Sequence, residues 1–162
     1  MTSQQFIVRK ALREAARRHG LGEIENIIDA MGYVETRWKL GLTNNTGGDA
    51  ARGGAWGPTQ ITARTAKEHG YLGDVKLFNT DATLAAEWTC KILMGRPGGV
   101  PHTVEDVGAW WNAGRSSASR LKPDHITMKD YIPKLREAVY ICTMRFPFGP
   151  VPIGEDEKTP PV

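Results

Sequence analysis

A stripe of apolar residues at helical spacing runs from Ile24 and ends in a glutamate, Glu35. This stripe strongly limits the folds that the chain can adopt. At about 100° per residue, Ile27, Ile28 and Met31 share one side of a helix with Ile24, and Glu35 lies only about 20° away. Acidic residues are rarely found on a side that packs into a core. Burial raises the pKa of a carboxyl group and keeps it protonated at neutral pH, as a general acid requires.

Two interpretations of Glu35 follow from these residues. Glu35 is either a buried general acid, or it ends a frayed helix and reaches solvent or pairs with Arg37 or Lys39. The same helix has a polar side, carrying Glu25 and Asp29, on which Glu35 could have been placed. The spacing leaves both interpretations open.

The rest of the chain also shows helical spacing, and no convincing alternation typical of strands is present. We predict a mainly α-helical single domain, with at most a short β-hairpin in the loop between Gly41 and Ala55. The domain is predicted to cover residues 1–145, and residues 146–162, with five prolines, form a docked or disordered tail. Helices are predicted at residues 6–19, 24–36, 63–69, 81–94, 103–113 and 130–144.

Composition narrows the functional class. With 40% hydrophobic and 24% charged residues, the chain is typical of a globular protein, and no apolar run is long enough to cross a membrane. The first ten residues lack the pattern of a secretory signal, so we expect synthesis in a cytoplasm. The net charge is +3, and the acidic last twelve residues leave +5 on the rest, which suits an anionic partner.

The two cysteines allow two interpretations. Cys90 and Cys142 match neither a disulfide framework nor a metal-ligand spacing, so we expect two buried thiols, with a disulfide as the alternative. We expect no metal and no cofactor.

The first helix has a basic face that is either solvated or docks to an acidic polymer or membrane surface. Without interleaved aromatic residues, this face does not indicate nucleic-acid binding. This face comprises Arg9, Lys10, Arg13, Arg17 and Arg18.

A glycine-rich loop after the Glu35 helix ends in residues suited to a sugar site. Trp56, Thr59 and Gln60 place an aromatic face, a hydroxyl and an amide close together. The alternative is a turn that packs Trp56 into the core. No glycine-lysine-serine or dinucleotide motif supports a phosphate-binding loop.

Four short motifs in this order resemble the lytic transglycosylases and the related goose-type lysozymes. They are Glu35-Thr36, Gly57-Pro58-Thr59-Gln60, Trp110-Trp111-Asn112-Ala113-Gly114 and Tyr131-Ile132. The family patterns are Glu-Ser, Gly-Leu-Met-Gln, Ala-Tyr-Asn-Ala-Gly and Tyr-Val. The resemblance spans about residues 6–141 and implies a lysozyme-like fold.

By this resemblance, Glu35 is the general acid that protonates the β-1,4 glycosidic oxygen between N-acetylmuramic acid and N-acetylglucosamine in peptidoglycan. Two departures from the family affect substrate contacts: Pro58-Thr59 replaces Leu-Met, and Trp111 replaces a tyrosine. Together, the loop chemistry and this resemblance predict these substrate-binding residues: Thr36, Trp56, Thr59, Gln60, Trp111, Asn112 and Tyr131.

The reaction depends on a second carboxylate. With Glu35 alone, the substrate's acetamide can act as nucleophile, and lytic transglycosylation then gives a 1,6-anhydro end. Goose-type lysozymes hydrolyse the bond instead, with aspartates in the loop before the Gly-x-x-Gln motif. Here Asp49 lies in that loop, where it either positions a water or pairs with Arg52.

A basic cell-wall enzyme of this size resembles a bacteriophage endolysin, made in the host cytoplasm and acting on the wall after membrane breach. A virion-associated lysin is the phage alternative. The expected partner is the peptidoglycan glycan strand, with no nucleic acid and no stable membrane insertion, and the expected state is a monomer. The competing classes are a non-catalytic peptidoglycan-binding module and a basic protein that disrupts membranes through its first helix.

Overall fold

The computed structural model describes residues 1–148, so the predicted tail beyond Phe148 lies outside the described residues. This part of the chain is mainly helical, as predicted, with one small antiparallel sheet. The α-helices are α1 (Ser3–Arg18), α2 (Glu25–Thr36), α3 (Gly47–Ala51), α4 (Ala63–Glu68), α5 (Ala82–Met94), α6 (Val104–Ala113) and α7 (Ile132–Met144). The strands are β1 (Thr43–Asn44), β2 (Ala55–Trp56) and β3 (Ile61–Thr62).

Local signals explain most helix ends. The Thr2 side chain accepts a hydrogen bond from the backbone of Gln5 and caps α1. Asp81 caps α5 in the same way. Gly114 has a left-handed backbone, with φ of 63°, and ends α6 where the sequence predicted.

Strands β1 and β2 and helix α3 lie in the glycine-rich loop, and β3 follows it. β2 is the central strand, and Trp56 pairs with Thr43 on one side and with Ile61 on the other. The sheet therefore extends the predicted hairpin by a third strand, which comes from the segment after the loop. The five-residue helix α3 was not predicted, because its two glycines have low helix propensity.

The main core lies where α1, α2, α5 and α7 meet. Leu12, Ile28, Met31, Leu93 and Leu135 are all fully or almost fully buried in this cluster. Cys90 and Cys142 lie in the same cluster as free thiols, and burial raises the pKa of each to about 12. The prediction of buried thiols is confirmed, and the disulfide alternative is wrong.

The basic face of α1 is only partly solvated: Lys10, Arg17 and Arg18 are exposed, whereas Arg9 and Arg13 are buried, which corrects the sequence prediction for these two. Arg9 and Arg13 are buried, and their guanidinium groups bind one oxygen of the buried Asp29 carboxylate at 2.6 and 2.7 Å. The side of α2 that carries Asp29 therefore faces α1. The remaining basic residues also have acidic partners: Lys10 with Glu14, Arg17 with Glu25, and Arg18 with Glu87.

The first residues of the predicted tail pack against α1. The carbonyl of Phe146 accepts a hydrogen bond from Arg9 at 2.9 Å, and the ring of Phe148 stacks on Phe6. Within residues 1–148, no helix is long and apolar enough to span a membrane.

Candidate active site

Glu35 lies in the last turn of α2, and its side chain is partly buried. The Tyr131 hydroxyl donates a hydrogen bond to Glu35 Oε1 at 2.7 Å. Among residues 1–148, no ion pair joins Glu35 to Arg37 or Lys39, and the Arg37 guanidinium lies over the Tyr33 ring instead. The interpretation of Glu35 as a frayed, paired surface residue is therefore wrong.

Burial raises the pKa of Glu35 from 4.5 to about 7. The hydrogen bond from Tyr131 opposes this change because it stabilises the carboxylate, and the negative charge of Asp49 adds to it. A carboxyl group with this pKa is about half protonated at neutral pH. Glu35 can therefore donate a proton and take one back under the same conditions.

A turn of π-helix, Thr127–Tyr131, brings Tyr131 to Glu35. Tyr131 is buried, and burial together with the nearby Glu35 charge raises its pKa well above the ordinary value. The phenol therefore remains a proton-bearing donor toward Glu35. At the other end of this turn, the Thr127 hydroxyl donates to Asn112 Oδ1 at 2.7 Å, which links the end of α6 to the site.

Gly108 permits the close contact between α6 and the start of α7. A Cβ atom at this position would lie 2.7 Å from Ile132 Cγ1 and 3.6 Å from the Tyr131 ring. Gly108 and Thr127 support the site but were not predicted from sequence. For Gly108, the sequence signal was a glycine inside a predicted helix, which indicates close packing. For Thr127, the surrounding polar segment contains no pattern that indicates a role in the site.

Thr36 fastens the glycine-rich loop to the end of α2. Its buried hydroxyl donates to the Pro58 carbonyl at 2.8 Å and accepts from the backbone N–H of Lys39 at 3.1 Å. With these bonds made, the hydroxyl faces protein groups. Thr36 therefore positions the loop beside Glu35.

The loop itself turns sharply at Gly57 and Gln60. Gly57 has φ of 79°, and a Cβ there would lie 2.7 Å from the Phe78 carbonyl oxygen, so the position requires glycine. Gln60 also has a left-handed backbone, with φ of 56°. Its side-chain amide donates to the carbonyls of Gly57 and Leu42 at 2.9 and 3.0 Å.

Two of the predicted sugar-binding side chains face the protein. The Thr59 side chain is buried and hydrogen bonds to the Thr89 hydroxyl on α5 at 2.8 Å. Trp56 packs against the smaller core that includes Phe78, and its indole N–H donates to the Gly53 carbonyl at 3.1 Å. For Trp56, this arrangement matches the alternative in which the ring packs into the core.

Gln60, Trp111 and Asn112 line a cavity of about 300 Å³. The indole N–H of Trp111 donates to the Thr59 carbonyl at 3.1 Å, which joins α6 to the loop. Glu35 is not part of the cavity wall. The remaining lining comes from Arg52, directly after α3, and from β3, α4, α5 and α6 or the residues that end them: Ile61, Thr62, Arg64, Thr65, Glu68, His69, Ile92, Trp110, Ala113 and Gly114.

Asp49 lies in α3, and its carboxylate accepts a hydrogen bond from the Asn44 amide at 2.8 Å. Within residues 1–148 its side chain forms no ion pair with Arg52, so that alternative is wrong. Asp49 is close enough to Glu35 to raise its pKa. It is the candidate for a second carboxylate.

Comparison with protein families, curated proteins and solved structures found no match to this chain. In the described part of the chain, no group of three or more His, Cys, Asp or Glu side chains is arranged to hold a metal ion.

Proposed function

We propose that this chain is a peptidoglycan-cleaving enzyme in which Glu35 is the general acid. The observation that carries the proposal is the partly buried Glu35 carboxyl group, with a pKa of about 7 and the Tyr131 hydroxyl 2.7 Å from its Oε1 atom. A buried carboxyl group lowers fold stability when it ionises, so a carboxyl group with a strongly raised pKa and a specific hydrogen-bond partner is a candidate for a chemical role. The ordered set of family-like motifs supplies the substrate class.

In the proposed reaction, protonated Glu35 gives its proton to the glycosidic oxygen between N-acetylmuramic acid and N-acetylglucosamine. As that bond breaks, the muramic acid's own acetamide oxygen bonds to C1. The Glu35 carboxylate then removes the proton from the 6-hydroxyl, whose oxygen displaces the acetamide from C1. The product is a 1,6-anhydro end, no water is consumed, and Glu35 finishes protonated as it began.

Hydrolysis is a second candidate because of one specific observation. The charge of Asp49 contributes to the raised pKa of Glu35, which supports Asp49 as the second carboxylate. In this version Asp49 positions a water that attacks C1, and a reducing end forms. Asn44 would then orient Asp49 through the amide hydrogen bond at 2.8 Å.

The proposed partner is the glycan strand of a bacterial wall, and phage-mediated lysis is the setting that the resemblance implies. Membrane disruption by α1 is less well supported, because its basic residues have acidic partners in the fold. A test that separates these functions is wall cleavage and vesicle leakage by Glu35→Gln. Cleavage lost without any change in leakage supports the enzyme.

The experiment that tests the proposal is mass spectrometry of muropeptides released from purified peptidoglycan by wild type and Glu35→Gln. Gln can still accept the Tyr131 hydrogen bond, so the variant removes the acid and keeps the contact. Products one water lighter than reducing muropeptides, absent with the variant, support transglycosylation. Reducing products support the hydrolase, for which Asp49→Asn is the next variant. If neither protein releases products yet both bind the wall, the enzyme proposal is wrong and the binding module replaces it.

A further inference from the structure

Thr127 is the only buried residue between positions 122 and 130. It is 1% exposed, whereas the neighbouring Ile126 is 67% exposed. The usual order, with the apolar residue inside and the polar residue outside, is therefore reversed at these two positions. A buried hydroxyl lowers stability unless it is hydrogen bonded, and Asn112 on α6 supplies the acceptor at 2.7 Å. The backbone here thus directs the hydroxyl of Thr127, and not the side chain of Ile126, toward α6.

Thr127 is also the first residue of the π-helical turn that ends at Tyr131. The N–H of Ile132 bonds to the Thr127 carbonyl, five residues earlier, whereas an α-helix bonds to the residue four earlier. The turn therefore contains one residue more than an α-helical turn. Because single π-helical turns are rare beside the α-helix, we expect contacts at both ends to keep this turn from relaxing to α-helical spacing.

Contacts with two other helices hold the two ends of the turn. At its start, the bond from Thr127 attaches it to Asn112, near the end of α6. At its end, the Tyr131 hydroxyl donates to Glu35 on α2 at 2.7 Å, and the next residue, Ile132, is buried. The position of the Tyr131 hydroxyl therefore depends on how the whole turn is held.

We propose that Thr127 is a positioning residue that holds the Tyr131 hydroxyl on Glu35 through the π-helical turn. This inference rests on the proposed function, because it assigns Thr127 a role in the reaction at Glu35. Without the Thr127 hydroxyl the turn relaxes toward α-helical spacing, in which a shift by one residue rotates side chains by about 100°. The phenol then loses its alignment with the carboxyl group.

Thr127→Val tests this inference, because valine keeps the shape of threonine and lacks the hydroxyl. The first readout is the pKa of Glu35 in a carboxyl NMR titration of the protein alone. The hydrogen bond from Tyr131 lowers this pKa, so a displaced phenol should raise it. We expect a rise of about half a pH unit, and Thr127→Ser, which retains a hydroxyl, should keep the wild-type value.

The second readout is cleavage of soluble peptidoglycan strands over a range of pH. Thr127→Val should lower kcat by about tenfold and change KM by less than about threefold, because it misplaces the proton donor more than the substrate. The alkaline limit of kcat/KM should move upward by about as much as the pKa in the titration. Thr127→Ser should match wild type within about twofold in kcat.

Two further variants separate positioning from a structural role. Asn112→Ala removes the same hydrogen bond at an exposed residue, so it tests the inference even if Thr127→Val fails to fold. It should raise the pKa of Glu35 as Thr127→Val does, and the double variant should raise it no further. Thr89→Val is the control, because it removes a buried hydroxyl that bonds to Thr59 at 2.8 Å. It should lower stability and leave the pKa of Glu35 unchanged.

The inference is wrong if Glu35 titrates at the wild-type pH in both Thr127→Val and Asn112→Ala, or if Thr89→Val changes the titration equally. An unchanged kcat in Thr127→Val also overturns it. In each of these cases, cleavage of peptidoglycan by wild type leaves the enzyme proposal standing. If the titration shifts as expected but wild type releases no products, Thr127 still positions Tyr131, and the enzyme proposal is wrong.

Discussion

Glu35→Gln should make the protein more stable at alkaline pH while abolishing the proposed activity. The pKa of Glu35 rises from 4.5 to about 7 on folding, chiefly because the carboxyl group is desolvated. Each pKa unit corresponds to about 1.4 kcal/mol, so ionised Glu35 lowers the free energy of unfolding by about 3 kcal/mol. Glutamine occupies the same space, can accept the Tyr131 hydrogen bond and has no charge.

The size of the effect depends on pH. Below pH 4.5, Glu35 is protonated in both the folded and the unfolded protein, so the variant and wild type should have similar stability. As pH rises from 4.5 to 7, the unfolded chain ionises first and wild type loses stability. Above pH 7 the full difference of about 3 kcal/mol should be present.

Urea denaturation of both proteins at pH 4 and pH 8 measures this difference. Glu137→Gln is the matched control, because Glu137 is exposed on α7 and forms no ion pair within residues 1–148. Its effect should stay within about 0.5 kcal/mol at both pH values. A Glu35→Gln gain that is the same at both pH values, or below about 1 kcal/mol at pH 8, would refute the claim that Glu35 is desolvated.

Two further predictions concern the partners of buried charges. Tyr131→Phe removes the hydrogen bond that lowers the pKa of Glu35, so that pKa should rise, by about one pH unit, in a carboxyl NMR titration. The alkaline limit of kcat/KM should move upward with it. Asp29→Asn leaves the buried Arg9 without a counter-charge and Arg13 with only the more distant Glu25, at 4.0 Å, and should lower the free energy of unfolding by about 3–5 kcal/mol in urea denaturation.

Each of these predictions has an outcome that contradicts it. A Tyr131→Phe protein whose Glu35 titrates at the wild-type pH or lower would mean that the phenol does not stabilise the carboxylate. For Asp29→Asn the control is Glu14→Gln, which breaks an exposed pair of 3.8 Å with Lys10 and should cost under about 0.5 kcal/mol. Similar losses from the two variants would show that the buried cluster contributes little.

Several features of the site could be predicted because they depend on local spacing. The helical period of 3.6 residues places Glu35 on the apolar side of α2, independently of how the other helices pack. Gly114 ends α6 because a left-handed backbone favours glycine. The same spacing could not show whether Glu35 would find a basic partner, since that depends on which neighbours pack against the end of α2.

Other features could not be read from local pattern. Thr59 was expected to contact a sugar, yet its side chain hydrogen bonds to Thr89 on α5, a residue 30 positions away that no local pattern could pair with it. The arginines of α1 form an apparent solvent face on a helical projection. In the fold Arg9 and Arg13 meet Asp29, which lies on the polar side of α2, and form a buried ion cluster with it, whereas Arg17 and Arg18 stay exposed.

The sequence by itself determined the helical class, most helix ends and the place of a glutamate on an apolar stripe, since each follows from interactions within a few residues. Only the tertiary structure decided the chemistry around that glutamate. Tyr131 reaches Glu35 across 96 positions in sequence, through a π-helical turn and the close approach that Gly108 allows. Desolvation and hydrogen bonding set the pKa of Glu35, and both arise from packing between distant segments.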